Sequence, residues 1–467
     1  MKIKKYISLL LAVLCICPAL AAAVRASQAE SGTADNAASD KIIPTGYSIP
    51  ADENMTIRCR NALLYSEYDD RYLFSKRADE LLEPASTAKT MVGIMIFEKF
   101  GRNLETKITV TNKLLEGKDG LSLYLEEGEI FSIRQLLTML LMHGANDVSV
   151  ILSHYYMQDL ECEGDDLEKF AELMTARAAE IGCENTVYKN VTGLHANGAK
   201  TVLSDIIKIA VHAANIPGFL EMTSKDKLTI ENNGPTKARV VLSRNYLVSS
   251  YQTARYKTPG VTGMNYGSTE QMGQCLLVSA EYDGKRYFAA IMGGYTDSDE
   301  EGTQVVYTDA RKLLDYARTG FKYFDVLKKG VIITQVGVRF STNTDVVTLV
   351  PEKTVSMYLP VKTDVNTEIS FKTIVQEEEI DAPVAQGYQA GDIIVIYNDE
   401  EVCRVPLVTT VSVQQSRILY TLDALERFVK KPVVIASLIS FFVFLFIYVV
   451  IIKSIVAAQK KKRKYIK

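Results

Sequence analysis

The hydrophobic pattern that follows the short stretch "LEPASTAKT" has the period of an α-helix. Apolar residues recur three to four positions apart until Gly101, at Met91, Val92, Met95, Ile96 and Phe100. Because residues at this spacing share one face of a helix, the pattern predicts a core helix that ends at the glycine. Ser86 and Lys89 then lie in its first turn, three residues apart and on one face.

Other runs have the apolar character and length of β-strands. Two short runs flank Asp69 and Asp70, and two longer ones flank Asp283 and Gly284, an Asp-Gly pair that favours a tight hairpin turn. Alternating runs separated by Gly, Asn and Asp fill residues 325–415. They predict two hairpins and, in the last of these segments, an all-β domain.

Both ends of the chain carry apolar segments. Residues 1–27 have the basic start, short apolar run and small residues of a secretory signal peptide, and the polar residues 28–44 predict a flexible linker. Residues 433–452 are uncharged and long enough to form a transmembrane helix, after a juxtamembrane helix predicted over 416–432. The basic residues 453–467 favour the cytoplasm, so we expect a single-pass membrane protein whose larger part lies outside.

Charge and cysteine content exclude several classes of protein. The formal net charge of the 467 residues is −3 and the dense basic run is the tail, so we expect no nucleic-acid partner. Two of the seven cysteines lie in the predicted signal peptide, and the others are widely spaced without a C-x-x-C pair. This spacing predicts neither a disulfide framework nor a zinc site, and we predict no metal and no cofactor.

Ser86 and Lys89 have the spacing of a serine nucleophile and its base. On one helix face the hydroxyl and the amine can meet, and a lysine desolvated against a buried helix can accept the serine proton. Helix capping is the alternative interpretation of Ser86. A second S-x-x-K occurs at Ser224 and Lys227, in a charged stretch where we expect an exposed pair without a catalytic role.

Two later stretches of the chain are candidates for the second and third motifs of an enzyme that uses a serine nucleophile and a lysine base. Residues 132–156 predict an apolar helix, a break at His143 and Gly144, and a second helix from about Asp147. The stretch "RYKTPGVTGMNYGSTEQMGQ" leads into the Asp-Gly hairpin. Their order matches the serine acyl-transferase motifs S-x-x-K, S-x-N and K-T-G. We expect His143 to be a loop side chain rather than a substitute for a catalytic serine.

On these residues the chain resembles the low-molecular-weight penicillin-binding proteins, the serine-type D-alanyl-D-alanine carboxypeptidases of peptidase family S11. The resemblance covers about residues 61–413 and includes "ADELLEPASTAKTM", "GANDVSV", "NTVYKNVTGLHANG" and "GQCLLVSA". It implies an α/β fold: a β-lactamase/transpeptidase-like domain over 45–322, mainly an antiparallel sheet flanked by helices, and a C-terminal β-rich domain over 325–415. The site would lie at a sheet edge.

The family also implies a substrate and the roles of several residues. The substrate would be a peptidoglycan stem peptide ending in D-Ala-D-Ala, with β-lactams as candidate ligands and the ectodomain facing the cell wall. Ser86 would be the acylated nucleophile and Lys89 its general base. The backbone N–H groups of Ser86 and Ser268 would form the oxyanion hole, and Asn146 would contact the substrate amide and Lys89.

Two departures from the family motifs concern the substrate-binding side of the site. The serine of S-x-N is replaced by Gly144, which removes a hydroxyl that helps to relay a proton. Val261, Thr262 and Gly263 look like K-T-G without its lysine, but a gapless count from "GQCLLVSA" places the motif later. The equivalent residues are then Asn265, Tyr266 and Gly267, followed by Ser268 and a retained Thr269.

In either register the motif has lost its lysine, and in the gapless one Tyr266 also replaces the threonine that binds the substrate carboxylate. Two interpretations follow. One is a membrane-anchored serine carboxypeptidase with reduced or altered activity, which we favour because Ser86 and Lys89 are both present. The other is a catalytically inactive homologue that binds peptidoglycan as a cell-wall scaffold or regulator.

Overall fold

The computed structural model describes residues 40–47, 49, 55–160, 164–251, 253–298 and 302–464. The predicted signal peptide and most of the predicted linker lie outside these residues. Within the linker segment, Lys41–Ile42 forms a short strand, β1.

The chain from residue 55 to residue 319 folds into sheets and flanking helices. The strands are β2 (Asn61–Ser66), β3 (Arg71–Lys76), β4 (Lys107–Thr109), β5 (Ile130–Ser132), β6 (Lys227–Ile230), β7 (Arg239–Leu242), β8 (Val261–Thr269), β9 (Gly273–Tyr282), β10 (Lys285–Gly294), β11 (Thr296–Asp297) and β12 (Thr303–Gln304). The helices are α1 (Ala88–Phe100), α2 (Ile133–His143), α3 (Asn146–Met157), α4 (Asp166–Glu180), α5 (Leu203–Ala214), α6 (Phe219–Thr223) and α7 (Val305–Thr319).

The central sheet of this part has five strands in the order β3-β2-β10-β9-β8, and each neighbouring pair is antiparallel. Both predicted hairpins are confirmed, β2–β3 and β9–β10. Asp283 and Gly284 between β9 and β10 have φ of 51° and 73°, the positive values that a tight hairpin turn requires. Strand β8 forms an edge of the sheet, and the segment Ala85–Thr87 lies against it.

Helix α1 is the predicted core helix, and Gly101 caps its end as expected. Every residue from Ala88 to Phe97 is buried, because α2, α3 and α5 pack around it. A helix surrounded on all sides is apolar around its circumference rather than along one stripe. Lys89 is an exception within this apolar surface, and its position therefore places an amine in the protein core.

The chain from residue 321 forms the predicted all-β domain, with one short helix. Its elements are β13 (Phe321–Leu327), β14 (Thr334–Arg339), β15 (Val346–Pro351), β16 (Thr354–Pro360), α8 (Val365–Glu368), β17 (Ile369–Val375), β18 (Glu379–Asp381), β19 (Gln389–Tyr397) and β20 (Glu400–Thr409). Six strands form one sheet in the order β17-β19-β20-β15-β14-β18. Strand β13 pairs with β16, so the β structure begins at Phe321, slightly before the expected residue 325.

Side chains of the two domains meet at their junction. Tyr323 donates a hydrogen bond from its hydroxyl to Asp69 at 2.8 Å, and Arg71 donates to the carbonyl oxygen of Tyr358 at 3.3 Å. Lys285 lies over the ring of Tyr358 at 4.6 Å. These contacts join the β2–β3 and β9–β10 hairpins to the pair β13–β16.

Two helices end the described chain, α9 (Arg417–Val429) and α10 (Pro432–Lys464). Ser416 caps the first by accepting a hydrogen bond from the N–H of Leu419. In the second, residues 432–457 are long and apolar enough to cross a membrane, and their large apolar side chains are exposed. The helix continues beyond Ile452 into the segment predicted as a basic tail.

Candidate active site

Ser86 lies in a single 3-10 turn, Ala85–Thr87, that leads directly into α1. Ala85 has a φ of 48°, in the left-handed region that residues with a Cβ rarely occupy. Strain of this kind costs about 1–3 kcal/mol and is found most often at functional sites, where the surrounding structure enforces it. Here the strained residue turns the backbone immediately before the serine hydroxyl.

Lys89 is 2% exposed, and its Nζ donates a hydrogen bond of 2.6 Å to the carbonyl oxygen of Thr192. Its pKa is lowered to about 7 by burial, because the charged form loses its hydration, and to a smaller extent by the positive charge of Arg244. Near neutral pH a large fraction of the amine is therefore unprotonated and able to accept a proton. In the described structure no hydrogen bond joins Lys89 Nζ to Ser86 Oγ.

The carbonyl that holds Lys89 belongs to a loop tied together by Asn190. Its Oδ1 accepts hydrogen bonds from the backbone N–H groups of Thr192 at 3.2 Å and Gly193 at 2.7 Å. Its Nδ2 donates to the carbonyl oxygen of Leu194 at 2.9 Å. These bonds fix the direction of the Thr192 carbonyl, and with it the position of the lysine amine.

The predicted break after His143 is present, and it shapes the second motif. Gly144 caps α2 with a φ of 80°, a left-handed conformation in which a serine side chain would be strained. Asn146 begins α3, and its Nδ2 donates to the carbonyl oxygen of Asp119 at 2.6 Å. Among the described residues no hydrogen bond joins Asn146 to Lys89, and the Nδ2 bond ties Asn146 to a loop that lines this end of the pocket.

The third motif lies on β8, and the positions of its glycines decide between the two registers. A Cβ at Gly267 would lie 1.9 Å from Ser86 Oγ, so a glycine is needed where the strand passes the nucleophile. A Cβ at Gly263 would instead meet the backbone oxygen of Thr223, at 2.2 Å. The geometry favours the gapless register, in which the motif is Asn265, Tyr266 and Gly267.

The two substituted residues of this motif, Asn265 and Tyr266, do not line the pocket beside Ser86. Asn265 is 2% exposed, and neither atom of its amide has a hydrogen-bond partner among the described residues. Tyr266 stacks on Tyr307, with ring centroids 5.3 Å apart. Asn265 is therefore buried in the interior, whereas Tyr266 is half-buried against Tyr307, and neither lines the pocket beside Ser86.

A pocket of about 430 Å³ opens beside the nucleophile. Six of the predicted site residues line it: Ser86, Lys89, Gly144, Asn146, Ser268 and Thr269. Asn265, Tyr266 and Gly267 are not among its lining residues. A larger cavity of about 950 Å³ runs along β3 and α5 and shares no described lining residue with this pocket.

The pocket also contains residues that sequence reasoning missed, above all Arg244, Asp119 and His195. His195 Nδ1 lies 2.6 Å from a carboxylate oxygen of Glu83, three residues before the nucleophile. Arg244 follows β7 in an irregular segment, where a single arginine gives no periodic or spacing signal. Arg244 is distant from Lys89 in the sequence, and only the tertiary fold brings the two residues to the same pocket.

The other chemical candidates from the sequence lie apart from this pocket. Ser224 is exposed and donates to the carbonyl oxygen of Glu221, so the second S-x-x-K has neither the burial nor the surroundings of the first. His143 ends α2, and its Nδ1 lies 2.9 Å from the carbonyl oxygen of Leu242. Neither residue lines the pocket beside Ser86.

Comparisons with known proteins agree with this geometry. Residues 48–296 match the profile of the peptidase S11 family, described as D-alanyl-D-alanine carboxypeptidase, and residues 321–415 match the C-terminal domain of penicillin-binding protein 5. The carboxypeptidase DacF of Bacillus subtilis is 25% identical over 360 residues, 74% of this chain and 84% of that protein. DacD of Escherichia coli is 27% identical over 344 residues, 71% of this chain and 80% of that protein.

Solved structures show the same fold. The carboxypeptidase DacD of Francisella tularensis superposes with a TM-score of 0.55 at 19% identity, over 79% of this chain and 97% of that one. Penicillin-binding protein 6B of Escherichia coli gives a TM-score of 0.54 at 22% identity, over 78% of this chain and all of the other. Since the family profile spans more than half of the sequence, the chain belongs to the D-alanyl-D-alanine carboxypeptidases of peptidase family S11.

Proposed function

We propose that this protein removes the terminal D-alanine from peptidoglycan stem peptides through an acyl-enzyme on Ser86. One observation carries the proposal: Ser86 and a buried Lys89, whose pKa is lowered to about 7 by burial and by Arg244, line the same pocket at the edge of the sheet. A lysine with this pKa can act as the base for a serine hydroxyl without a histidine.

The reaction has two stages. Ser86 Oγ attacks the carbonyl carbon between the two D-alanines while Lys89 Nζ takes the hydroxyl proton. The C–N bond then breaks, the proton passes to the leaving amine, and free D-alanine departs. Water hydrolyses the ester, with Lys89 accepting its proton and returning one to Ser86 Oγ. The backbone N–H groups of Ser86 and Ser268 stabilise the oxyanion in both stages.

The departures from the family motifs favour a reduced or altered activity. Gly144 supplies no hydroxyl to relay the proton to the leaving amine, and Asn265 supplies no positive charge. Removing one group that stabilises developing charge typically costs about 3 kcal/mol, or 10² to 10³ in rate. We therefore expect a slower carboxypeptidase than relatives that keep both groups, with β-lactams as covalent inhibitors.

The apolar helix α10 supports anchoring in the cell membrane. An exposed helix with 26 apolar-rich residues, Pro432–Ala457, matches the thickness of a bilayer. The lysines and arginine after it favour the cytoplasmic side. We propose a single-pass protein whose two folded domains face the cell wall and whose C-terminus lies in the cytoplasm.

The direct test of this function is D-alanine release. The full-length protein in detergent is incubated with diacetyl-Lys-D-Ala-D-Ala, and free D-alanine is measured against time. We expect release by the wild type and none by Ser86→Ala with an unchanged melting temperature. If the wild type binds the peptide but releases no D-alanine, the carboxypeptidase proposal is wrong and the non-catalytic peptidoglycan-binding interpretation takes its place.

A further inference from the structure

The pocket contains a positively charged side chain, Arg244, although the third motif lacks its lysine. Asn265, at the lysine position of the third motif, is neutral and buried. Arg244 reaches the same pocket from the segment after β7 and lines it together with Lys89 and Ser268. The site therefore contains a guanidinium group that could not be predicted from the sequence of the third motif.

The backbone of Arg244 is fixed on both sides of its Cα. Its N–H donates to the carbonyl oxygen of Met142, at the end of α2, at 3.1 Å. Its own carbonyl oxygen accepts a hydrogen bond of 2.6 Å from the hydroxyl of Tyr307. These bonds attach the arginine to two helices, α2 and α7, and limit the directions that its side chain can take.

The guanidinium rests on an aromatic surface. Arg244 Cζ lies 5.2 Å from the ring centroid of Tyr266, and Tyr266 stacks in turn on the buried ring of Tyr307. Arginine stacks well on aromatic faces while its N–H groups remain free to donate in the plane of the guanidinium. This gives Tyr266 a function that the threonine of the family motif could not supply.

Arg244 forms no ion pair with a described residue, although Asp119 and Glu270 also line the pocket. Across the part of the chain that the structure describes, no carboxylate lies within ion-pair distance of it. The positive charge of Arg244 repels the protonated amine of Lys89 and so helps to lower the pKa of Lys89. A half-buried guanidinium beside a nucleophile, held on an aromatic surface and without an acidic partner, has the properties of a carboxylate-binding group.

We propose that Arg244 binds the C-terminal carboxylate of the peptide substrate and that Tyr266 supports it in this role. Asn265 is neutral, so Arg244 supplies a positive charge at the pocket that this motif position does not. The inference rests on the proposed carboxypeptidase function, since it names the group that selects peptides with a free C-terminus.

The test compares two ligands that differ in this carboxylate. Full-length Ser86→Ala protein in detergent, which cannot turn over, is titrated by calorimetry with diacetyl-Lys-D-Ala-D-Ala and with its C-terminal amide. We expect at least tenfold tighter binding of the acid. With Arg244→Gln added, the affinity for the acid should fall at least tenfold while that for the amide stays unchanged.

Two further variants separate charge from structure. Arg244→Lys keeps the charge without the planar donors and should recover part of the preference for the acid. Arg255→Gln is the matched control, because Arg255 lies over Tyr256 at 5.7 Å but does not line the pocket. It should leave both affinities unchanged.

The outcomes distinguish this inference from the function on which it rests. If Arg244→Gln weakens the acid and the amide equally, or neither, Arg244 does not bind the carboxylate, even if the wild type releases D-alanine. If the protein with Arg244 intact binds neither ligand and the wild type releases no D-alanine, both proposals are wrong.

Discussion

Lys89 Nζ and the carbonyl oxygen of Thr192 form a hydrogen bond of 2.6 Å between residues 103 positions apart in the chain. The bond uses one N–H of the amine and holds this nearly buried group, which is 2% exposed, at the wall of the pocket. The same burial that costs stability lowers the pKa of Lys89 and makes it a usable base. The base is thus produced by the whole fold rather than by the S-x-x-K motif alone.

The first prediction concerns pH. The lysine must be unprotonated to accept the serine proton, and its pKa is lowered to about 7 by burial and by Arg244. We expect kcat/KM for D-alanine release to rise as pH increases through about 7 and then to level off. Arg244→Gln should move this rise to higher pH, because the pKa of Lys89 increases when the neighbouring charge is removed.

A pH–rate profile from pH 5.5 to 9 on the wild type and Arg244→Gln, with Arg255→Gln as control, measures both effects. A flat wild-type profile across this range would exclude Lys89 as the titrating base.

The second prediction concerns stability. The pKa of Lys89 is about 7 in the folded state against 10.5 for an unperturbed lysine, so between these values the unfolded chain binds a proton that the folded protein does not. Wild-type stability should therefore rise with pH in this window, by at most about 1.4 kcal/mol per pH unit. Lys89→Met removes the titrating group and should abolish D-alanine release.

Urea unfolding at pH 7, 8 and 9 gives the free energy of unfolding of both proteins. The stability of Lys89→Met relative to the wild type should be greatest at pH 7 and should decrease as pH rises. A difference that does not change with pH would mean that Lys89 is not desolvated in the folded protein.

Much of the fold could be predicted from local patterns, and the reasons are visible in particular elements. The spacing of Met91 to Phe100 predicted α1, and the Asp283-Gly284 pair predicted the β9–β10 turn, because each depends on residues that are close in sequence. The conformation of Gly144 and the partner of Asn146 could not be predicted in this way. They depend on loops and helices that meet only in the folded protein.

The third motif shows most clearly that contacts between distant parts of the chain cannot be predicted from local sequence patterns. The gapless count along the chain placed the third motif at Asn265 and Tyr266, on the substrate-binding side of the site. In the structure Tyr266 lies under Arg244, a residue that no sequence pattern indicated. A contact between a motif residue and a residue from another part of the chain, such as Tyr266 with Arg244, is visible only in the three-dimensional structure.

A third prediction tests the approach of β8 to the nucleophile. In Gly267→Ala the new methyl group would overlap Ser86 Oγ, so we expect D-alanine release to fall at least a hundredfold. Gly101→Ala is the control, because a Cβ at Gly101 meets no atom within 4 Å and its φ is ordinary. If Gly267→Ala keeps near wild-type activity, β8 does not pass Ser86 in the working enzyme.

A fourth prediction concerns orientation in the membrane. A protease added to right-side-out membrane vesicles should degrade the two folded domains and spare an epitope tag fused after Lys467. In inverted vesicles the tag should be lost and the domains protected. The opposite pattern would reverse the proposed topology and place the domains in the cytoplasm.

The most direct test of the central claim is the mass of the protein after reaction with a β-lactam. We expect the full-length wild type to gain the mass of one penicillin molecule and peptide mapping to locate it on Ser86. The adduct should persist in Ser224→Ala and disappear in Ser86→Ala. An unmodified wild type after prolonged incubation, or an equal adduct on Ser86→Ala, would contradict an acyl-enzyme at Ser86.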